Sequence, residues 1–97
     1  ILTPTDSVPG NKVTDYKNLV QQLGAIPLIL EPAQHDYVTA AVSHLPHIIA
    51  ASLVNLVRDK DSADGLMKMI AAGGFKDITR IASSSAAVWQ QISYAMI

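Results

Sequence analysis

The 97 residues contain no cysteine, which removes disulfides, thiolate chemistry and cysteine-ligated zinc. Charge is scarce: 15% of residues are Asp, Glu, Lys or Arg, against 49% hydrophobic. With a net charge of −1 there is no electrostatic footprint for nucleic acid or for an anionic membrane, so neither is expected as a partner. Aromatics are few, with a single tryptophan, Trp89. No uninterrupted apolar run approaches the length of a membrane span; the longest, HIIAASLVNLV, opens on His47. The chain begins with Ile1 and not Met, and no signal-peptide pattern follows. The expectation is a cytoplasmic piece of something longer. So much apolar content in one small domain predicts that part of the surface meets a partner subunit or a neighbouring domain.

What is present divides the chain near Pro32. ILTPTD reads as a short strand or extended arm and SVPGN as a turn. From about Asn11 the pattern becomes helical, with Val13, Tyr16, Leu19, Val20 and Leu23 at helical spacing and Gly24 as a stop. AIPLILE reads as a second short strand. From Pro32 onward every segment predicts helix, with a kink or break near Ser43 to Pro46 and an N-cap at Asp61 or Ser62. A short helix is expected to end at Gly73-Gly74, and Ser83 to Ser85 to cap the last one. The fold class is therefore mainly α: a strand-helix-strand unit over residues 1–31, then an all-helical domain over 32–97.

Two polar constellations stand out. On a straight helix Asp36, Ala40, Ser43 and His47 share one face, and a carboxylate, a hydroxyl and an imidazole on an apolar helix need water, a ligand or polar partners. The simpler reading is that His44 and His47 bond a backbone carbonyl or face solvent. His35, His44 and His47 carry no HExxH pattern, so no metal site is expected. In AAGGFKDITRIASSS, Gly73-Gly74 permits positive φ or a close backbone approach. Arg80 sits between Ile78 and Ile81, where a partly buried guanidinium would need a carboxylate from Asp77 or from a ligand. The simpler alternative is a surface pair worth little. Trp89, with Val88, Ile92 and Met96 around it, reads as a core or interface anchor.

Taken together, HDYVTAAVSHLPH and AAGGFKDITRIASSSAAVW strongly resemble the prephenate dehydrogenases, the NAD-linked enzymes of tyrosine biosynthesis. The first stretch matches that family's H-D then S-H-L-P-H pattern, and the second its G-G-F-[RK]-D-x-T-R-I-A pattern followed by a tryptophan. ILTPT and LGAIPLILEP resemble the segments that precede them, so the likeness covers nearly the whole chain. One departure is Lys76, where Arg is frequent. The resemblance implies a dimerisation domain and a homodimer. It implies a substrate pocket containing Ser43, His47, Gly73 and Arg80, with His44, Asp36 and Asp77 in support and Trp89 contributed by the partner subunit. It places the catalytic histidine and the NAD site in a preceding domain. Ser43-His44 is not that catalytic motif, and no G-x-G-x-x-G occurs in the sequence. The isolated chain is thus expected to bind no cofactor and to turn over nothing. Alternatives are a tyrosine- or prephenate-binding regulatory module, a portion of an arogenate dehydrogenase, or a helical scaffold without a ligand.

Overall fold

Pro4 and Pro32 decide what becomes of the two apolar segments near the N-terminus. In the computed structural model, which describes residues 1–95, they meet in one parallel bridge, Leu2 with Ile29. The Leu2 N–H donates to the Leu28 carbonyl at 2.7 Å and the Leu30 N–H to the Leu2 carbonyl at 3.0 Å. The next rungs would need N–H groups at positions 4 and 32, and both are proline. The expected strand-helix-strand unit is therefore corrected to a single bridge on either side of helix α1 (Gly10–Gln22). That helix ends as its sequence predicts. Gly24 takes φ 83° and donates to Gln21, while Ala25 donates to Val20, the paired bonds of a Schellman stop.

The chain divides into two compact units, Ile1–Val38 and a second from Thr39 onward. The division falls inside α2 (Pro32–Thr39). In the second unit a π-helical turn (Ala40–His44) leads into α3 (Leu45–Lys60). Pro46 has no N–H for the Val42 carbonyl, and its ring crowds the preceding turn. The helix responds by widening: Leu45 donates to Ala40, five residues back. The expected kink is this π-turn, with helix on both sides. As a result Pro32–Lys60 forms a helical run of 29 residues, long and apolar enough to cross a membrane by length and composition. That corrects the sequence expectation, which counted only uninterrupted apolar residues.

α3 packs against α4 (Leu66–Ile70), α5 (Gly73–Thr79) and the 3₁₀ turn Arg80–Ser83; α6 (Ala86–Ala95) follows. Asp61 organises the connector, its two carboxylate oxygens accepting the N–H groups of Ser62, Met67 and Lys68. Three expectations change here. Gly73 and Gly74 open α5 rather than end α4, and neither has positive φ. The N-cap of α4 is Gly65, not Asp61 or Ser62, although the Asp61 carboxylate reaches the first amides of that helix. The Ser83 and Ser84 hydroxyls donate back to Arg80 and Ile81, closing the 3₁₀ turn, and Ser85 precedes α6, its carbonyl accepting the Trp89 N–H. Met96, the last member of the Trp89 stripe, lies outside the described residues.

Very little of this is core. Among the described residues the buried side chains are Ala50 (1% exposed) and His47 (7%). Leu45, Ile48, Ile49 and Leu56 on α3, and Met69 and Ile70 on α4, remain exposed. Burying one such side chain stabilises by about 1.5–3 kcal/mol, so this unit gains most of its hydrophobic free energy only when another surface covers it.

Candidate functional site

The second unit holds its one buried imidazole in an aromatic grip. The Trp89 indole lies flat on His47, with ring centroids 3.6 Å apart and planes 5° from parallel. His44, one turn earlier, meets the same indole edge-on at 5.9 Å and 84°. The Nδ1 atoms of both histidines are buried and have no hydrogen-bond partner. The simpler sequence reading, a histidine bonded to a carbonyl or facing water, therefore describes neither Nδ1. Beside the stack, between α3 and α6, opens a cleft of about 310 Å³. Its polar lining is Ser52, Asn55, Ser84, Gln90 and Ser93, with His47 and Trp89 as one wall and no charged side chain.

The residues expected from sequence are distributed as follows. His47 and Trp89 are brought together within one chain, whereas the resemblance has Trp89 come from the partner subunit, and His44 lies against the same indole. Ser43 is exposed and does not line the cleft. Gly73 begins α5 with open space where a Cβ would be, which leaves room for a close approach to its backbone. Arg80 is exposed rather than partly buried, and neither it nor Asp77 forms an ion pair with the other among the described residues. Its guanidinium is thus free for an external carboxylate. Asp36 lies in the first unit, exposed, accepting a hydrogen bond from His35 Nδ1 at 3.0 Å. No cluster that could hold a metal occurs among the described residues.

Ser52, Asn55, Gln90 and Ser93 were missed by the sequence reading. The signal was available for Asn55: His47, Ala51 and Asn55 are spaced by four, so Asn55 returns a polar group to the face of His47 two turns on. A second hollow of about 320 Å³ in the first unit is lined by Leu2, Pro4, Val8, Val13 and Tyr16, with Thr3 and Lys12, and contains no acid-base pair.

Residues 31–95 match the family described as prephenate dehydrogenase, dimerization domain. A prephenate dehydrogenase of Bacillus subtilis is 47% identical over 92 residues, covering 95% of this chain and 25% of that protein. A cyclohexadienyl dehydrogenase of Zymomonas mobilis is 35% identical over 94 residues, covering 95% of this chain and 32% of that protein. The crystal structure of prephenate dehydrogenase from A. aeolicus in complex with hydroxyphenyl propionate and NAD+ superposes with a TM-score of 0.86 at 33% identity, covering 97% of this chain and 33% of that one. The chain therefore spans about a quarter to a third of the length of these relatives. It belongs to the prephenate dehydrogenase family, and the part of it in hand is the helical dimerization domain with a short segment before it.

Proposed function

We propose that this chain is the substrate-binding and dimerisation part of an NAD-dependent prephenate dehydrogenase of tyrosine biosynthesis. The observation that carries the reading is the juxtaposition of His47 and Trp89 at a polar cleft, on a helical unit whose apolar faces are left open. In the proposed reaction prephenate loses its ring carboxylate as CO2, and a hydride passes from the carbinol carbon to NAD. The product is 4-hydroxyphenylpyruvate. The residues here bind and orient. Arg80 takes one substrate carboxylate, His47 and Ser43 donate hydrogen bonds to substrate oxygens, and Gly73 admits the ligand close to the backbone.

The cofactor does not fit these residues. Between the Leu2 bridge and the N-terminus of α1 there is a single glycine, Gly10, after Pro4 and Pro9, so the Gly-rich turn that cradles a dinucleotide's pyrophosphate is not offered there. The NAD site and the base that takes the carbinol proton are assigned to other residues of the full-length protein. Two copies of the chain pair through the open faces of the helices, which completes the core that one copy lacks.

The test uses the full-length protein. Arg80→Ala is expected to raise KM for prephenate about 10- to 100-fold, the worth of a charge-assisted hydrogen bond. An unchanged KM would overturn the assignment. The name of the Zymomonas relative favours a second reading, in which other cyclohexadienyl acids such as arogenate are also substrates. The ratio of kcat/KM for prephenate and arogenate decides between the two.

A further inference from the structure

An imidazole that works on a ligand is ordinarily oriented by a hydrogen bond to its other nitrogen, commonly from Nδ1 to a carbonyl or carboxylate. His47 has no such bond. Its Nδ1 is buried without a partner although the side chain is only 7% exposed. What fixes the ring is the indole lying flat against it, 3.6 Å away at 5°, with the His44 ring edge-on to the same indole. A proton on Nδ1 would be a buried donor with no acceptor, which proteins avoid more strictly than an under-used acceptor. The neutral ring is therefore disposed to carry its proton on Nε2.

We infer that Trp89 is a positioning residue: by stacking on His47 it replaces the missing Nδ1 hydrogen bond and holds the imidazole as an Nε2–H donor for a ligand oxygen. This role rests on the proposed substrate reading only for the identity of the ligand, a carboxylate or carbonyl oxygen of prephenate. The stack needs a flat ring and not indole chemistry, so phenylalanine should serve in its place and an aliphatic side chain should not.

The experiment compares Trp89→Phe and Trp89→Leu in the full-length protein, with nitrogen NMR of 15N-histidine-labelled wild type. The NMR is expected to show Nδ1 unprotonated and Nε2 protonated in His47; protonation at Nδ1 overturns the inference whatever the variants do. Trp89→Leu is expected to raise KM for prephenate about tenfold, the worth of one hydrogen bond, with kcat changed less than about twofold. Trp89→Phe is expected to restore KM to within about threefold of wild type. Equal losses in both variants would overturn the clamp and mark Trp89 as a packing residue. Should Arg80→Ala leave KM unchanged while the tautomer is as stated, the substrate reading fails and the clamp stands.

Discussion

The Asp61 carboxylate accepts the backbone N–H of Met67 at 2.9 Å, tying the end of α3 to the start of α4. It also accepts from Lys68 and Ser62, and these bonds, Met67's first, hold its carboxyl below the ordinary value of 3.8. A depressed carboxyl contributes stability that is complete above its unfolded value and lost as pH falls through the folded one. Protection of the Met67 and Lys68 amides, measured against intrinsic exchange at each pH, should therefore be complete above pH 3.8 and fall only below it. Asp61→Ala should show fast exchange at both amides throughout. Protection that persists in the variant would mean the carboxylate does not hold this turn.

Replacing Pro46 tests whether the π-turn serves the site. Pro46→Ala restores an N–H for the Val42 carbonyl and relieves the ring's pressure on the preceding turn. The turn over Ala40–His44 should tighten toward α-helical pitch, and the thermal midpoint should rise by several degrees. Ser43 and His44 would then rotate relative to His47, so KM for prephenate should rise as stability does. A variant that is more stable and binds as before would make the π-turn a mere accommodation of proline.

Local chemistry was legible in the sequence; long-range partners were not. Gly24, Pro46 and Asp61 act through atoms a few residues away, so residue type and spacing were enough to mark the stop, the irregular turn and the carboxylate that meets the α4 amides, though not Gly65 as the N-cap itself. The two strands failed because strand formation needs a neighbour with free N–H groups at the right register, and Pro4 and Pro32 occupy those positions. Nothing in the spacing of His47 and Trp89, 42 positions apart, marks them as a stacked pair. The exposure of Arg80 was equally hidden. Apolar neighbours at Ile78 and Ile81 suggested burial, but Ile78 is itself 60% exposed.

Gly24 and Gly73 should respond to alanine in opposite directions. At Gly24 the φ of 83° is what strains a side chain, because nothing lies within 4 Å of a Cβ there. Gly24→Ala should destabilise by about 1–2 kcal/mol, seen as a lower urea midpoint with an unchanged slope. Gly73 has helical φ and the same open space, so Gly73→Ala should stabilise by about 0.4–1 kcal/mol through the unfolded state. If substrate approaches the Gly73 backbone as proposed, that variant should also raise KM. A stabilised variant with wild-type KM would remove Gly73 from the pocket.

Leu56 on α3 is 56% exposed, and with Leu45, Ile48 and Ile49 it puts exposed apolar surface on both ends of one helix. Such a surface on a domain with almost no core of its own is where a second copy would bind. Leu56→Glu removes about 1.5–3 kcal/mol of burial and adds a charge that would have to lose its water. Sedimentation should show the dimer's Kd weakened by more than about tenfold, with a monomer at micromolar concentration. The exposed last residue of α3, Lys60, serves as the control, since Lys60→Glu changes charge near the same helix end without touching the apolar row. If Leu56→Glu sediments like wild type, this row of α3 lies outside the interface. If Lys60→Glu dissociates the dimer as readily, charge and not apolar burial governs the pairing.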